Sequence, residues 1–121
     1  MAGPKQQNIS HYRGGHFARN ERLVGIATSQ CAEAWITIRK RLPDADLTDD
    51  SDAEVVAQGT LTGGEIAAVD LENFSIDLPQ LGAGFDQLTY RWDFKVKDLS
   101  GKIWPLTYGI FSLTNNVGLA T

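Results

Sequence analysis

A strict alternation of apolar and polar residues marks one stretch of the chain, Thr89–Asp98. Its apolar positions are Tyr90, Trp92, Phe94 and Val96. Because successive side chains of a strand point to opposite faces, this period of two predicts a half-buried β-strand. Turn-forming residues follow at 98–101 (DLSG), and a β-rich stretch continues through 102–113. We therefore expect these segments to form a hairpin.

The second strand of this hairpin contains a proline and a glycine. Pro105 has no N–H to donate, so the strand is expected to lie at a sheet edge or to bulge near that position. Gly109 is a second possible irregularity.

Weaker alternation recurs along the rest of the chain. Residues Glu33–Lys40 are rich in β-branched side chains and predict a strand. Shorter segments bounded by turn formers predict three more strands: Glu21–Thr28, Glu65–Val69 and Phe74–Leu78. Residues Asp52–Gln58 fit either a strand or a short helix. Short strands at this spacing indicate an all-β sandwich or barrel.

Apolar residues that are in phase on these strands predict the core. The expected core residues are Ile36, Ile38, Ile76, Trp92 and Phe94. A wider aromatic set could instead stack on sugar rings, as in a lectin: Trp92, Phe94, Trp104, Tyr108 and Phe111. Aromatic residues in strands more often pack in the core, which favours a core role for this set.

Composition is that of one ordinary globular domain. The chain has 121 residues, of which 42% are hydrophobic and 21% charged, far from the composition of a disordered chain. Cys31 is the single cysteine, so no disulfide can form within the chain. No segment has the apolar run of a signal peptide or of a membrane-spanning helix. A soluble protein is expected.

The charge is unevenly distributed. Residues 1–22 carry a net charge of +3, so the remaining residues carry −7 within the total of −4. We expect residues 1–20 to be an extended N-terminal arm and residues 21–121 to be the sandwich domain. The aromatic and arginine side chains of the arm are candidate interface residues: Tyr12, Arg13, Phe17 and Arg19. The alternative is a poorly ordered basic terminus. Nucleic acid is a weak candidate as a partner, because cations spaced this far apart would neutralise few phosphates.

The sequence does not match the known motifs for metal binding or catalysis. His11 and His16 have no third ligand nearby in sequence. The aspartate-rich loop Pro43–Asp52 lacks the glycine and glutamate of a calcium-binding EF-hand loop. No activated serine or cysteine motif and no phosphate-binding loop occurs. We therefore expect no enzymatic activity, no metal, no cofactor and no small-molecule substrate.

Several short segments together resemble a known family. In order they are YRGG, ITIRK, the aspartate-rich insert, FSIDL and YRWDFKVKDLSGKIWPLTYGIFSLTNNV. The order of these segments resembles that in the small Ig-like β-sandwich of tailed-phage virion proteins, notably in the N-terminal domain of baseplate upper proteins. The matching residues are Tyr90, Trp92, Asp93, Asp98, Gly101, Gly109 and Val117. The sequence departs from the family at Arg13-Gly14-Gly15, where the family commonly has Arg-Gly-Asp. We also expect it to lack the receptor-binding region that the family carries downstream of the sandwich.

The resemblance implies a fold and a function. The expected fold is a single Ig-like antiparallel β-sandwich with the N-terminal arm. The expected function is that of a non-enzymatic structural or adaptor protein of a bacteriophage virion, in tail, baseplate or fibre attachment or in capsid-surface decoration. Its expected partners are other virion structural proteins and further copies of itself, without nucleic acid or membrane, and it would be made in the host cytoplasm. A glycan-binding, lectin-like module is the alternative.

Overall fold

A computed structural model describes residues 4–40, 55–85 and 88–114. In chain order the strands are β1 Lys5–Gln6, β2 Ile9–Tyr12, β3 Phe17–Arg22, β4 Cys31–Lys40, β5 Val55–Thr60, β6 Ile66–Ala68, β7 Asn73–Leu78, β8 Thr89–Asp98 and β9 Ile103–Thr114. Helical structure in these ranges is limited to a 3-10 turn at Thr28–Gln30. No helix in this part of the chain is long and apolar enough to span a bilayer.

The strands form two sheets. The larger sheet has the order β1-β9-β8-β4-β5, and β2 also pairs with β9. The smaller sheet has the order β3-β7-β6. The pairs are antiparallel except for β1 and β2, which run parallel to β9. The predicted all-β sandwich is confirmed.

The hairpin β8–β9 forms as the alternation predicts. Asp98 and Lys102 close its turn, since the Asp98 N–H donates to the Lys102 carbonyl at 2.9 Å. The register shifts between Phe94, which pairs with Thr107, and Lys95, which pairs with Pro105. A β-bulge at this point accommodates Pro105, which has no N–H to donate to the ladder. The expectation of an irregularity near Pro105 is confirmed.

The core lies between the two sheets. All five predicted core residues are buried, with at most 1% of each side chain exposed: Ile36, Ile38, Ile76, Trp92 and Phe94. The same core cluster includes Phe17 and Phe74 of the smaller sheet and Phe111 of β9. Period-two alternation therefore identified the buried faces of β4, β7 and β8 correctly.

The strand predicted at Glu21–Thr28 is wrong in position. The strand β3 occupies Phe17–Arg22 instead, and Gly25 after it adopts φ +88°. That conformation is outside the β region and ends the strand. The inward positions of β3 include the charged residues Arg19 and Glu21, which hides the alternation that the sequence pattern relies on.

Residues 52–58 could have formed either a helix or a strand. The described part of this segment belongs to β5, which pairs with β4 from Trp35–Thr60 to Arg39–Val55. A short apolar run beside an existing strand gains ladder hydrogen bonds that an isolated short helix could not match.

The N-terminal segment is part of both sheets and not a separate arm. Strands β1 and β2 extend the larger sheet alongside β9, and β3 forms one edge of the smaller sheet. Gly14, at φ +79°, makes the turn between them. The sequence pattern missed β1 and β2 because they bury little: Ile9 is the one fully buried side chain on them.

A glycine allows the N-terminal segment to lie against β9. Gly109 pairs with Trp92 on the buried side of β9, and a Cβ atom there would lie 2.1 Å from the carbonyl oxygen of Gln7. No side chain fits at that distance. The close approach of these two backbones therefore requires glycine.

We predict that Gly109→Ala destabilises the fold by about 2 kcal/mol, since the new methyl group must displace the Gln7 backbone or distort β9. Gly84→Ala is the matched control: a Cβ at Gly84 meets no atom within 4 Å, and its effect should stay within about 0.5 kcal/mol. Urea unfolding followed by circular dichroism measures both. Equal stability of the two variants would show that Gln7 does not lie against Gly109.

Candidate protein-binding surfaces

Two of the four predicted interface residues lie at opposite extremes of burial. Tyr12 is 60% exposed, and Phe17 is 5% exposed. The Phe17 ring packs edge-on against the rings of His11 and Phe111, with centroids 5.4 and 6.0 Å away. Tyr12 therefore remains available to a partner, whereas Phe17 belongs to the core of its own domain.

Arg13 holds a neighbouring loop. Its guanidinium donates to the carbonyl oxygens of Gly82 and Phe85, and the adjacent Gly14 N–H donates to the Leu81 carbonyl at 2.8 Å. These bonds attach the β2–β3 turn to the loop that follows β7. The side chain expected to reach a neighbour instead ties two loops of one domain together.

Arg19 lies at the centre of a polar network between the sheets. Its Nε donates to Glu21 Oε1 at 2.5 Å and its Nη2 to Gln7 Oε1 at 2.8 Å. The guanidinium also stacks on the Trp92 ring, 5.0 Å from the centroid. Glu21 in turn accepts from Thr107 Oγ1 at 3.1 Å. The network joins β3 of the smaller sheet to β8 and β9 of the larger one and to Gln7, which directly follows β1.

Next to this network, an open cleft of about 480 Å³ runs along β3. Val24, Pro105 and Leu106 supply its apolar wall, and Lys5 and Arg22 supply exposed cations. We call this space the edge cleft. Of the residues that sequence reasoning singled out for binding, only Arg19 lines it.

The histidines do not form a metal centre with each other. His16 pairs with Asp77, and His11 Nε2 lies 2.9 Å from the Gly15 carbonyl oxygen. Across residues 4–40, 55–85 and 88–114, no group of three or more His, Cys, Asp or Glu side chains could hold a metal ion. The aspartate-rich loop Pro43–Asp52 lies outside those residues, so the absence of metal stays a prediction.

The aromatic set considered for sugar binding is mostly internal. Trp92, Phe94 and Phe111 are buried, and Trp104 and Tyr108 are half-buried. The indole nitrogen of Trp104 donates to Asp98 Oδ2 at 2.9 Å. This placement confirms the core interpretation for three of the five rings and leaves no exposed aromatic pair among them.

Exposed aliphatic side chains gather at one end of the sandwich. Among the residues that the structure describes, eight large hydrophobic side chains are exposed, and five of them lie on or beside the three loops there: Val24, Val69, Leu71, Leu99 and Ile103. We call this surface the apolar end. The loops are the β3–β4 connection, the β6–β7 connection and the β8–β9 turn.

Backbone hydrogen bonds join the three loops of the apolar end. The Thr28 N–H donates to the Leu71 carbonyl at 3.0 Å, and the Leu99 N–H donates to the Gln30 carbonyl at 3.1 Å. A cavity of about 320 Å³ lies between the β3–β4 connection and the β8–β9 turn, lined in part by Ile26, Leu99 and Trp104. The exposed side chains are therefore presented from connected loops, and Leu99 borders the cavity.

Asp98 fixes the turn that carries Leu99. Its carboxylate accepts from the Ser100 hydroxyl at 2.6 Å, from the Lys102 N–H at 2.9 Å and from the Trp104 indole. The hydrogen bonds from the Ser100 hydroxyl and the Trp104 indole, in that order, hold the pKa of Asp98 well below its usual value. The carboxylate stays ionised, and the turn stays closed, at neutral pH.

The sequence pattern does not reveal the apolar end. Val24 and Val69 fall inside predicted strands, and Leu99 lies inside a predicted turn. An apolar residue in a tight Asp-Leu-Ser-Gly turn is the signal that could have drawn attention to Leu99, because turn positions are normally polar and exposed.

Comparison with known proteins gives a likeness of structure and no match of sequence. No family model matches the chain, and no curated protein matches its sequence. Among solved structures, CopC from Methylosinus trichosporium OB3b is similar, with a TM-score of 0.51 and 16% identity over 89% of this chain and 85% of that one. At this identity the likeness supports the β-sandwich fold alone.

The resemblance to phage baseplate upper proteins is wrong. CopC is a structural neighbour that covers most of the chain, and no family model, of a phage or otherwise, matches. The segments that suggested the family are short strand and turn patterns. Such patterns follow from the geometry of any antiparallel hairpin and recur in unrelated β-sandwiches.

We predict that Asp98→Asn lowers the melting temperature at pH 7 and that the gap to wild type closes as the pH falls below about 4. A carboxyl whose pKa is lowered by folding contributes stability above its unfolded pKa, near 4, and loses that contribution on acidification. Circular dichroism melts between pH 7 and pH 2 measure the gap.

Glu72→Gln is the control for this prediction, because Glu72 forms only an exposed ion pair with Arg22 at 3.5 Å. A gap for Asp98→Asn that persists unchanged to pH 2 would contradict the role of the ionised carboxylate.

Proposed function

We propose that this protein is a non-enzymatic structural or adaptor subunit that assembles with further copies of itself through the apolar end. The observation that carries this proposal is the clustering of exposed aliphatic side chains on three connected loops. Single exposed apolar residues are ordinary on soluble proteins, but a contiguous group of them at one place is typical of an interaction surface.

The apolar end is suited to a protein contact because its loops are already joined. The hydrogen bonds from Thr28 to Leu71 and from Leu99 to Gln30 hold the loops together before any partner arrives. Less conformational entropy is then lost on binding than with free loops. The depression beside Trp104 can receive one large side chain from a partner, the usual arrangement of an interface hot spot.

Charges around the apolar end favour contact between identical surfaces. Arg22 and Lys102 supply cations, while Asp70 and Glu72 supply anions. In a two-fold symmetric contact each residue meets residues of the same patch on the other copy, so a patch must complement itself. A rim that carries both signs can do so, whereas a rim of one sign would repel its copy.

Three side chains that could take part in catalysis have structural roles instead: Arg19, Glu21 and Cys31. Arg19 and Glu21 bond to each other and to neighbouring side chains. Cys31 is buried, and burial first, with the nearby Asp98 carboxylate second, raises the pKa of its thiol. A thiol of raised pKa is a poor nucleophile at neutral pH. These features support a structural role over catalysis. A virion as the setting stays a prediction that nothing in the fold tests.

We predict that the purified protein self-associates between about 10 µM and about 1 mM, and that the double variant Leu71→Ser/Leu99→Ser weakens this association at least about tenfold. Sedimentation equilibrium measures it. Leu88→Ser is the matched control: Leu88 is 53% exposed but lies just before β8, at the opposite end of the sandwich. A monomer at all concentrations, or equal weakening in the control, would contradict the proposal.

A further inference from the structure

We propose that the edge cleft binds an extended segment of a different protein, which adds as a strand to the free edge of β3 and alternates acidic with apolar residues. The edge cleft shares Val24 and Arg22 with the apolar end, but Leu71 and Leu99 do not line it. Replacement of Leu71 and Leu99 therefore tests the self-association without changing the edge cleft.

The backbone of β3 offers an open ladder at this edge. Within the described residues β3 pairs with β7 alone. Leu23 continues this pairing, since its N–H donates to the Glu72 carbonyl at 2.7 Å. In an antiparallel pair only alternate residues bond across the ladder. Counting back by twos from Leu23, the residues that bond to β7 are Glu21, Arg19 and Phe17. The backbone groups of the residues between them, Ala18, Asn20 and Arg22, therefore point away from β7 toward the free edge.

The edge cleft has room for side chains of an added strand. Its apolar wall is formed by Val24, Pro105 and Leu106, beside the compensated pair of Arg19 and Glu21. Every second side chain of an added strand would point into this space between the sheets. Apolar residues at those positions would bury surface against the wall.

The outer positions of an added strand would meet Arg22, whose side chain is 72% exposed. Lys5 pairs with the inward-facing Thr107 and lies at the mouth of the cleft, on the inner side of an added strand. Both side chains of the Arg22–Glu72 ion pair are exposed, so the pair contributes little to stability. Arg22 can therefore pair with an acidic side chain of a bound strand instead. Acidic residues at the outward positions therefore complement the rim of the edge cleft.

A second copy of this chain is a poorer occupant than an acidic segment. The outward side chains of a second β3 would be Ala18, Asn20 and Arg22, none of them acidic. A second copy therefore brings no carboxylate to Arg22, whereas a strand with acidic residues at its outer positions does.

The test uses two capped, fluorescein-labelled octapeptides, one alternating Asp with Val and one alternating Lys with Val. Fluorescence anisotropy with the full chain should show saturable binding of the Asp–Val peptide that weakens with added salt. The Lys–Val peptide should bind at least about tenfold more weakly. Equal binding of the two peptides would overturn the proposed charge preference.

Two variants test the strand geometry. Asn20→Pro removes the backbone donor at the free edge and should weaken binding about tenfold, the effect of one hydrogen bond at the upper end of its usual range. Asn20→Ala keeps the donor and should change binding by less than about threefold. Unchanged binding by a folded Asn20→Pro variant would overturn strand addition.

Should Asn20→Pro fail to fold, amide exchange of the wild-type chain gives the answer. The acidic peptide should slow exchange of the Asn20 and Arg22 amides, and unchanged exchange at both would overturn the proposal. Self-association that Asn20→Pro abolishes would assign the edge to a second copy and also overturn it. Peptide binding should persist in Leu71→Ser/Leu99→Ser, which separates this surface from the apolar end.

Discussion

The buried indole N–H of Trp92 needs an acceptor, and the first strands of the chain supply it. Trp92 lies on β8 in the middle of the core, and its Nε1 donates to the Gln7 carbonyl at 2.9 Å. An unpaired donor at that depth would cost stability, so the position of Gln7 is fixed by the core itself. Gly109 permits the approach, and Arg19 closes over the same ring. The N-terminal strands, both sheets and the polar network therefore share one anchor point.

This arrangement also shapes the surfaces that can bind partners. Because β3 turns Arg19 and Glu21 inward, its end of the sandwich interior is polar, and the edge cleft remains open beside it. At the far end of β3 the chain leaves the sheet at Gly25, and the loops there present Leu71 and Leu99 outward. The rigid sandwich thus carries two surfaces of different chemistry. In the two proposals, one surface contacts further copies of this protein and the other binds an acidic extended strand of a partner.

The parts of the fold that could be predicted from sequence are those in which one face is uniformly apolar. Strands β4 and β8 and their core residues Ile36, Ile38 and Trp92 follow from alternation, with the β-branched content of β4 in support, and β9 follows from its β-rich sequence after a turn. The N-terminal strands could not be predicted, because β1 and β2 bury almost nothing of their own and β3 buries charged residues that are compensated only in three dimensions. The apolar end was equally hidden, since exposure of Leu71 and Leu99 depends on how loops distant in sequence meet. Of the predicted interface residues, Tyr12 is exposed, but Phe17 and Arg19 contribute to the interior.

The N-terminal segment forms integral strands of the sandwich, and amide hydrogen exchange tests this placement most directly. The Gln7 N–H donates to the Tyr108 carbonyl at 2.8 Å and the Arg13 N–H to the Thr114 carbonyl at 2.9 Å. Both amides should exchange orders of magnitude more slowly than in an unstructured peptide, at rates comparable to the amides of β8. Exchange of both at unstructured-peptide rates while β8 stays protected would show that the segment is a free arm, and would contradict the account.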